Sequence, residues 1–227
     1  MVVVVVAGLL GVVLARGGDE AAAGPPTQAD HWHAAFAVNV CGEWLPDPAA
    51  FDYVSGTNVI AGIHTHGDGF IHIHPRSAAE TGDNATLGRF LENGGWSASE
   101  DSIEVWTGPS FDRAKTKWSN GDRCPDDAGR AGMGKPGRVV FEVNCRPVAG
   151  DPSDHKLADQ EVVAIGFLPK GQEMGAPPNA ASAPESDDGR PTSAISQAGC
   201  RPSAENNPGA SPSTTISTFA TTPTTQQ

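Results

Sequence analysis

The chain has 227 residues, of which 38% are hydrophobic and 6% aromatic, enough for one domain of ordinary size with part of the sequence outside its core. With 15 Lys+Arg against 27 Asp+Glu the formal charge is −12, a surface that repels nucleic acid and concentrates cations. No basic stripe offsets that charge, so the composition argues against nucleic-acid binding.

Residues 2–15, VVVVVAGLLGVVLA, are apolar throughout. As a helix they reach about 21 Å, short of the roughly 30 Å hydrocarbon core of a bilayer. That length fits the apolar stretch of a signal peptide, with alanines at 21–23 for cleavage; a retained membrane tether is the other reading. Residues 1–16 are therefore assigned to a signal peptide or anchor, and 17–29 to a linker. Either reading places the rest of the chain outside the cytoplasm, secreted or membrane-anchored.

Residues 30–174 carry the folding pattern. In HWHAAFAVNV, Trp32, Ala34, Phe36, Val38 and Val40 alternate with a face holding His31 and His33, the signature of a strand. Residues 46–58 contain two prolines and predict an irregular excursion. IHTHGDGFIHIH then predicts a hairpin. NATLGRFLENGG has Leu87, Phe90 and Leu91 at helical spacing with Gly94 and Gly95 as a stop, so a short helix follows despite Gly88. SIEVWTG predicts a strand, residues 110–137 a long polar loop, and GRVVFEVNCRPV and QEVVAIGFLP the last strands. The order predicts an α+β fold with one helix packed on a mixed sheet. From Gly175 onward Pro, Ser, Thr, Ala and Gly dominate without hydrophobic period, which predicts a disordered tail over 175–227.

The order of hairpin, helix and strands, and the ending VFEVNCRPVAGDPSDHKLADQEVVAIGFLP, are similar to β-grasp domains. More narrowly, HWHAAFAVNVCGEW, GIHTHGDGFIHIHP, TLGRFL and VFEVN resemble a group of exported prokaryotic proteins of unassigned function with paired His-x-His motifs. The resemblance covers about 140 residues and implies a β-grasp-like fold; it brings no activity with it. Cys145 stands where that pattern has the glycine of VNG.

Cys41, Cys124, Cys145 and Cys200 include no C-x-x-C spacing, which argues against a redox motif or zinc ribbon and fits an oxidising compartment. Three pairings are open. The expected bridge is Cys41–Cys124, with Cys41 at a strand end and Cys124 in a Gly/Pro/Asp-rich loop; Cys145 falls in a hairpin turn and Cys200 in the tail.

Six of the seven histidines form three His-x-His pairs, where chance at this composition gives about 0.2. In a strand each pair presents two imidazoles on one face, about 6–7 Å apart. If Gly67, Asp68 and Gly69 form a three-residue loop, His64 lies opposite His72, so that His64, His66, His72 and His74 share a face and the isoleucines take the other. A two-residue loop would split them. The alternation favours the three-residue loop, because it leaves one apolar face for the helix to cover.

Imidazoles converging from adjacent strands are ligands for Zn or Cu. The expected metal ligands are His31, His33, His64, His66, His72 and His74, with Asp68 as a further ligand or an acceptor for ring N–H groups, and Asp30 nearby. The bland readings are a solvated row of histidines and a metal-free, pH-sensitive network in a ligand- or protein-binding module. His155, alone in a loop beside Asp154, reads as an ordinary surface residue. A metal-dependent hydrolase is the remaining alternative. HTHGDG only partly resembles the His-x-His-x-Asp-His signature of metallo-β-lactamase-type enzymes, since Gly69 replaces its last histidine. No nucleophile elbow, P-loop or dinucleotide fingerprint is present, and no residue is assigned a catalytic role.

Overall fold

A computed structural model describes residues 24–125, 134–182 and 200. The segment at 1–16 predicted as a signal peptide or anchor lies outside the described residues, as does most of the predicted tail. Among the described residues, no helix is long and apolar enough to cross a membrane.

Among the described residues the fold is α+β, with one large mixed sheet, a small second sheet and one α-helix. Its strands in chain order are β1 (Trp32–Val40), β2 (Glu43–Trp44), β3 (Phe51–Tyr53), β4 (Ile60–Thr65), β5 (Phe70–Ile73), β6 (Ser97–Ala98), β7 (Ser102–Glu104), β8 (Lys117–Ser119), β9 (Gly137–Val143), β10 (Arg146–Pro147) and β11 (Val162–Pro169). The large sheet runs β10-β9-β11-β1-β5-β4-β3, with β2 folded back on β1. The first and last strands lie parallel at its centre, with Ala35 beside Val162 and Val40 beside Phe167. With the helix across one face, this is a β-grasp-like arrangement.

β1 is central because both of its faces find cover. Ala34, Phe36, Val38 and Val40 enter the main core with Ile63, Ile71, Ile73, Ile165 and Phe167. The helix α1 (Leu87–Gly94) closes that core with Leu87, Phe90 and Leu91. Thr86 caps its start, its Oγ1 accepting from Arg89 N–H at 3.1 Å, and Gly95 ends it in the left-handed conformation at φ 81°. Gly88 is tolerated in so short a helix because a Cβ there would lie 2.7 Å from the Ser153 carbonyl oxygen, so only glycine permits the approach. The Asn93 amide donates to the Ile63 carbonyl at 2.9 Å and fastens the helix to β4.

Several expectations are corrected. Residues 46–58 contain the edge strand β3, and the polar loop at 110–137 contains β8. Strand β7 joins β6 and β8 in the second sheet rather than the main one. Trp118 of β8 is buried against Phe167, 5.3 Å between ring centroids, a long-range contact that local polarity conceals. Of the predicted linker, residues 24–29 are described: Pro26 is buried and its carbonyl accepts from Gly82 N–H at 2.8 Å.

The predicted tail is corrected only at its first residues and at Cys200. Residues 175–182 and Cys200 belong to the folded unit. Ala180 is buried with Ala35, Phe70 and Val162, and the Asn179 amide donates to the carbonyls of Gly69 and Phe36. Cys41 pairs with Cys124, and Cys145 with Cys200, ending the three-way choice of pairing.

Candidate metal centre

The hairpin β4–β5 sets the site. Ile63 pairs with Ile73 and His64 with His72, the register of the three-residue loop. Gly67 and Gly69 take φ of 80° and 82°, angles that flank Asp68 with residues free of the Cβ clash. On the other side β5 pairs with β1, so that His33 stands opposite His72. His33, His72 and His64 therefore form one row across three strands. His31 and His74 lie alongside, with ring centroids 3.8 Å apart.

The start of β1 is pinned from outside the hairpin. The His33 backbone N–H donates to Asp159 Oδ1 at 3.1 Å, and its carbonyl accepts from Gln160 N–H at 2.7 Å. Bonds on both sides fix the direction of the His33 side chain.

The rings close the gap that strand geometry leaves. Alternate side chains leave a strand about 6–7 Å apart, yet Nε2 of His31 lies 2.9 Å from Nε2 of His33 and Nε2 of His64 lies 3.0 Å from Nε2 of His66. At that separation one imidazole donates and the other accepts, so each pair shares a proton. A metal ion that takes both nitrogens replaces that proton. His72 packs within 4.7 Å of His33 and 4.4 Å of His66, between ring centroids.

Burial argues against a fully solvated row, although His66 is exposed. His33 and His64 are 6% exposed and His72 is 1% exposed, while His31 and His74 are half-buried. Buried imidazoles require partners, and here they are mainly one another.

Asp68 accepts from His72 Nε2 at 2.9 Å and from Phe70 N–H at 3.1 Å. Burial pushes its carboxyl up, but the His72 hydrogen bond and charge and the Phe70 N–H outweigh it, holding the carboxyl below the usual range. Its role in this geometry is to orient His72. Asp47 shifts the opposite way, raised by burial and by the charge of Asp68. Asp30 turns away from the histidines and accepts from Thr27 N–H and Oγ1 at 2.6 and 2.7 Å.

The donors fall into two groups. The ligand atoms of His31, His33, His72 and His74 lie within 4.8 Å of one another, as do those of Asp52, His64 and His66. Asp52 escapes the sequence reading because β3 hides in a proline-containing stretch. Phe51 pairs with Thr65 and packs toward the helix, so alternation turns Asp52 to the histidine face. The pattern Phe-Asp-Tyr was the available signal.

His155 is not an ordinary surface residue. Half-buried, its Nε2 bonds both carboxylate oxygens of the buried Glu161 at 3.1 Å, and Ala158 N–H adds a third bond to that carboxylate. It braces the turn into β11 and stands apart from the six clustered histidines.

Chemically, the face offers imidazole nitrogens and the Asp52 carboxylate, with the Asp68 carboxylate engaged by His72. All four cysteines are in disulfides, so no thiolate competes. The donor set could hold a metal ion. Comparison with protein-family models, with curated proteins and with solved structures finds no match to this chain.

Proposed function

We propose that the chain is an extracytoplasmic metal-binding domain that takes up Zn(II) or Cu(II) on its histidine face. One observation carries the reading: four imidazoles from the paired strands β1 and β5 and their flanking residues place their ligand atoms within 4.8 Å of one another. Bonds of about 2.0–2.1 Å from a tetrahedral ion set its ligands about 3.3 Å apart. The spread of the donors is therefore within side-chain adjustment of a closed shell. All-nitrogen donors favour borderline divalent ions over soft or hard ones.

Two disulfides fit an oxidising compartment, and the apolar stretch at 2–15 fits export or a membrane tether. The charge of −12 raises the local concentration of cations. The role supported is binding or sensing of a metal at the cell envelope.

Calorimetric titration of the full chain, without a histidine tag, tests this. Zn(II) or Cu(II) should bind saturably, and the double substitution His33→Ala/His72→Ala should weaken binding tenfold or more. At free metal 100-fold above Kd the folded state gains about 2.7 kcal/mol, and the thermal midpoint rises by about 5–10 °C, reversed by chelator. An unchanged midpoint together with absent binding heat would leave the metal-free module as the standing alternative.

A further inference from the structure

We propose that the face holds two ions, with the second on His64, His66 and Asp52 as an open, exchangeable position. The inference rests on the metal-binding reading above and adds a separate site to it.

The two donor groups share no residue. One contains two half-buried and two buried histidines, and the other sets the buried His64 between the exposed His66 and Asp52. A single four-coordinate ion uses four donors, so one ion on the inner group leaves the outer three unused. Those three come from β3, β4 and the loop after β4, on the solvent-facing flank. His64 and His66 already stand 3.0 Å apart at Nε2, a separation that a shared ion at about 2.0 Å spans with an angle near a right angle.

Three protein donors leave at least one coordination position for water or a small anion, whereas four imidazoles close the inner shell. Asp52 supplies a negative charge at the outer position, as Asp68 does beside His72, and both offset the repulsion of two neighbouring dications. His72 separates the positions, its ring packed on His66 at 4.4 Å and on His33 at 4.7 Å. The inner ion is held and the outer one meets solvent and exogenous ligands.

Cu(II) titration of the full chain, with azide added at saturation, tests the proposal. The wild type should take up two equivalents and develop an azide-to-copper absorption band. Asp52→Ala/His66→Ala should saturate at one equivalent without the band. His31→Ala/His33→Ala should also saturate at one, with the band retained. Circular dichroism in chelator checks that each variant folds. Asp52→Asn, which keeps the side-chain shape, should weaken only the second equivalent, by tenfold or more. Saturation of the wild type at one equivalent, or an azide band that survives Asp52→Ala/His66→Ala, overturns the second site and leaves metal binding standing. No uptake in the wild type overturns both.

Discussion

At the scale of single residues, two carboxylates with opposite shifts make the account testable. Asp68 is held ionised beside His72 and fixes the direction of that ring. Asp68→Asn removes the charge and leaves His72 less firmly aimed, so metal affinity should fall about 10–100-fold with little change in fold. Competition against a chromophoric chelator measures this, and an unchanged affinity would remove Asp68 from the site. Glu142, on β9, is pushed up by burial and by the charge of Glu173. Its folded form keeps a proton that the unfolded chain has already released. Stability therefore falls as pH rises from the ordinary glutamate value through the raised one. Glu142→Gln should raise the thermal midpoint at about pH 7 and leave it unchanged near pH 3. Equal midpoints at both pH values would mean that the carboxylate is solvated.

At the scale of elements, the register of the hairpin β4–β5 decides whether His64 and His66 join the histidine face. Deleting Gly67 shortens the loop to two residues, and a one-residue slip turns every side chain of β4 to the other face. His64 and His66 would then point at the helix and Ile63 at the solvent. The expected result is loss of the metal positions that use β4, with a large drop in the urea midpoint; a variant of unchanged stability and metal uptake would contradict the register argument. This register was legible in the sequence, because the alternation of Ile and His leaves only one pairing with a wholly apolar face. The helix was legible for the same reason, from Leu87, Phe90 and Leu91. β3 and β8 were not legible. Each has three residues, and each owes its existence to a partner far along the chain: Thr65 for Phe51, and Ile103 for Trp118. Asp52 stayed hidden with β3.

At the scale of the whole molecule, the sheet separates two chemistries. One face joins the helix in an apolar core, and the other collects six imidazoles from β1, β4, β5 and the residues that flank them. Residues 175–182 continue along the histidine side and cover Ala35 and Phe70, with Asn179 bonded to the loop that carries Asp68. Composition alone assigned that stretch to the tail, since Pro, Ser and Ala show no period. What orders it is a side-chain amide and the Cys145–Cys200 bridge, neither of which composition can express.

The central claim is that these imidazoles ligate an ion. X-ray absorption at the Zn or Cu edge, on full-length protein loaded and then desalted, tests it most directly. The expected result is retained metal with a nitrogen shell at about 2.0–2.1 Å and the outer-shell scattering of several imidazole rings. Metal washed out to below about 0.2 equivalents, or a shell of oxygen ligands without imidazole scattering, would contradict it.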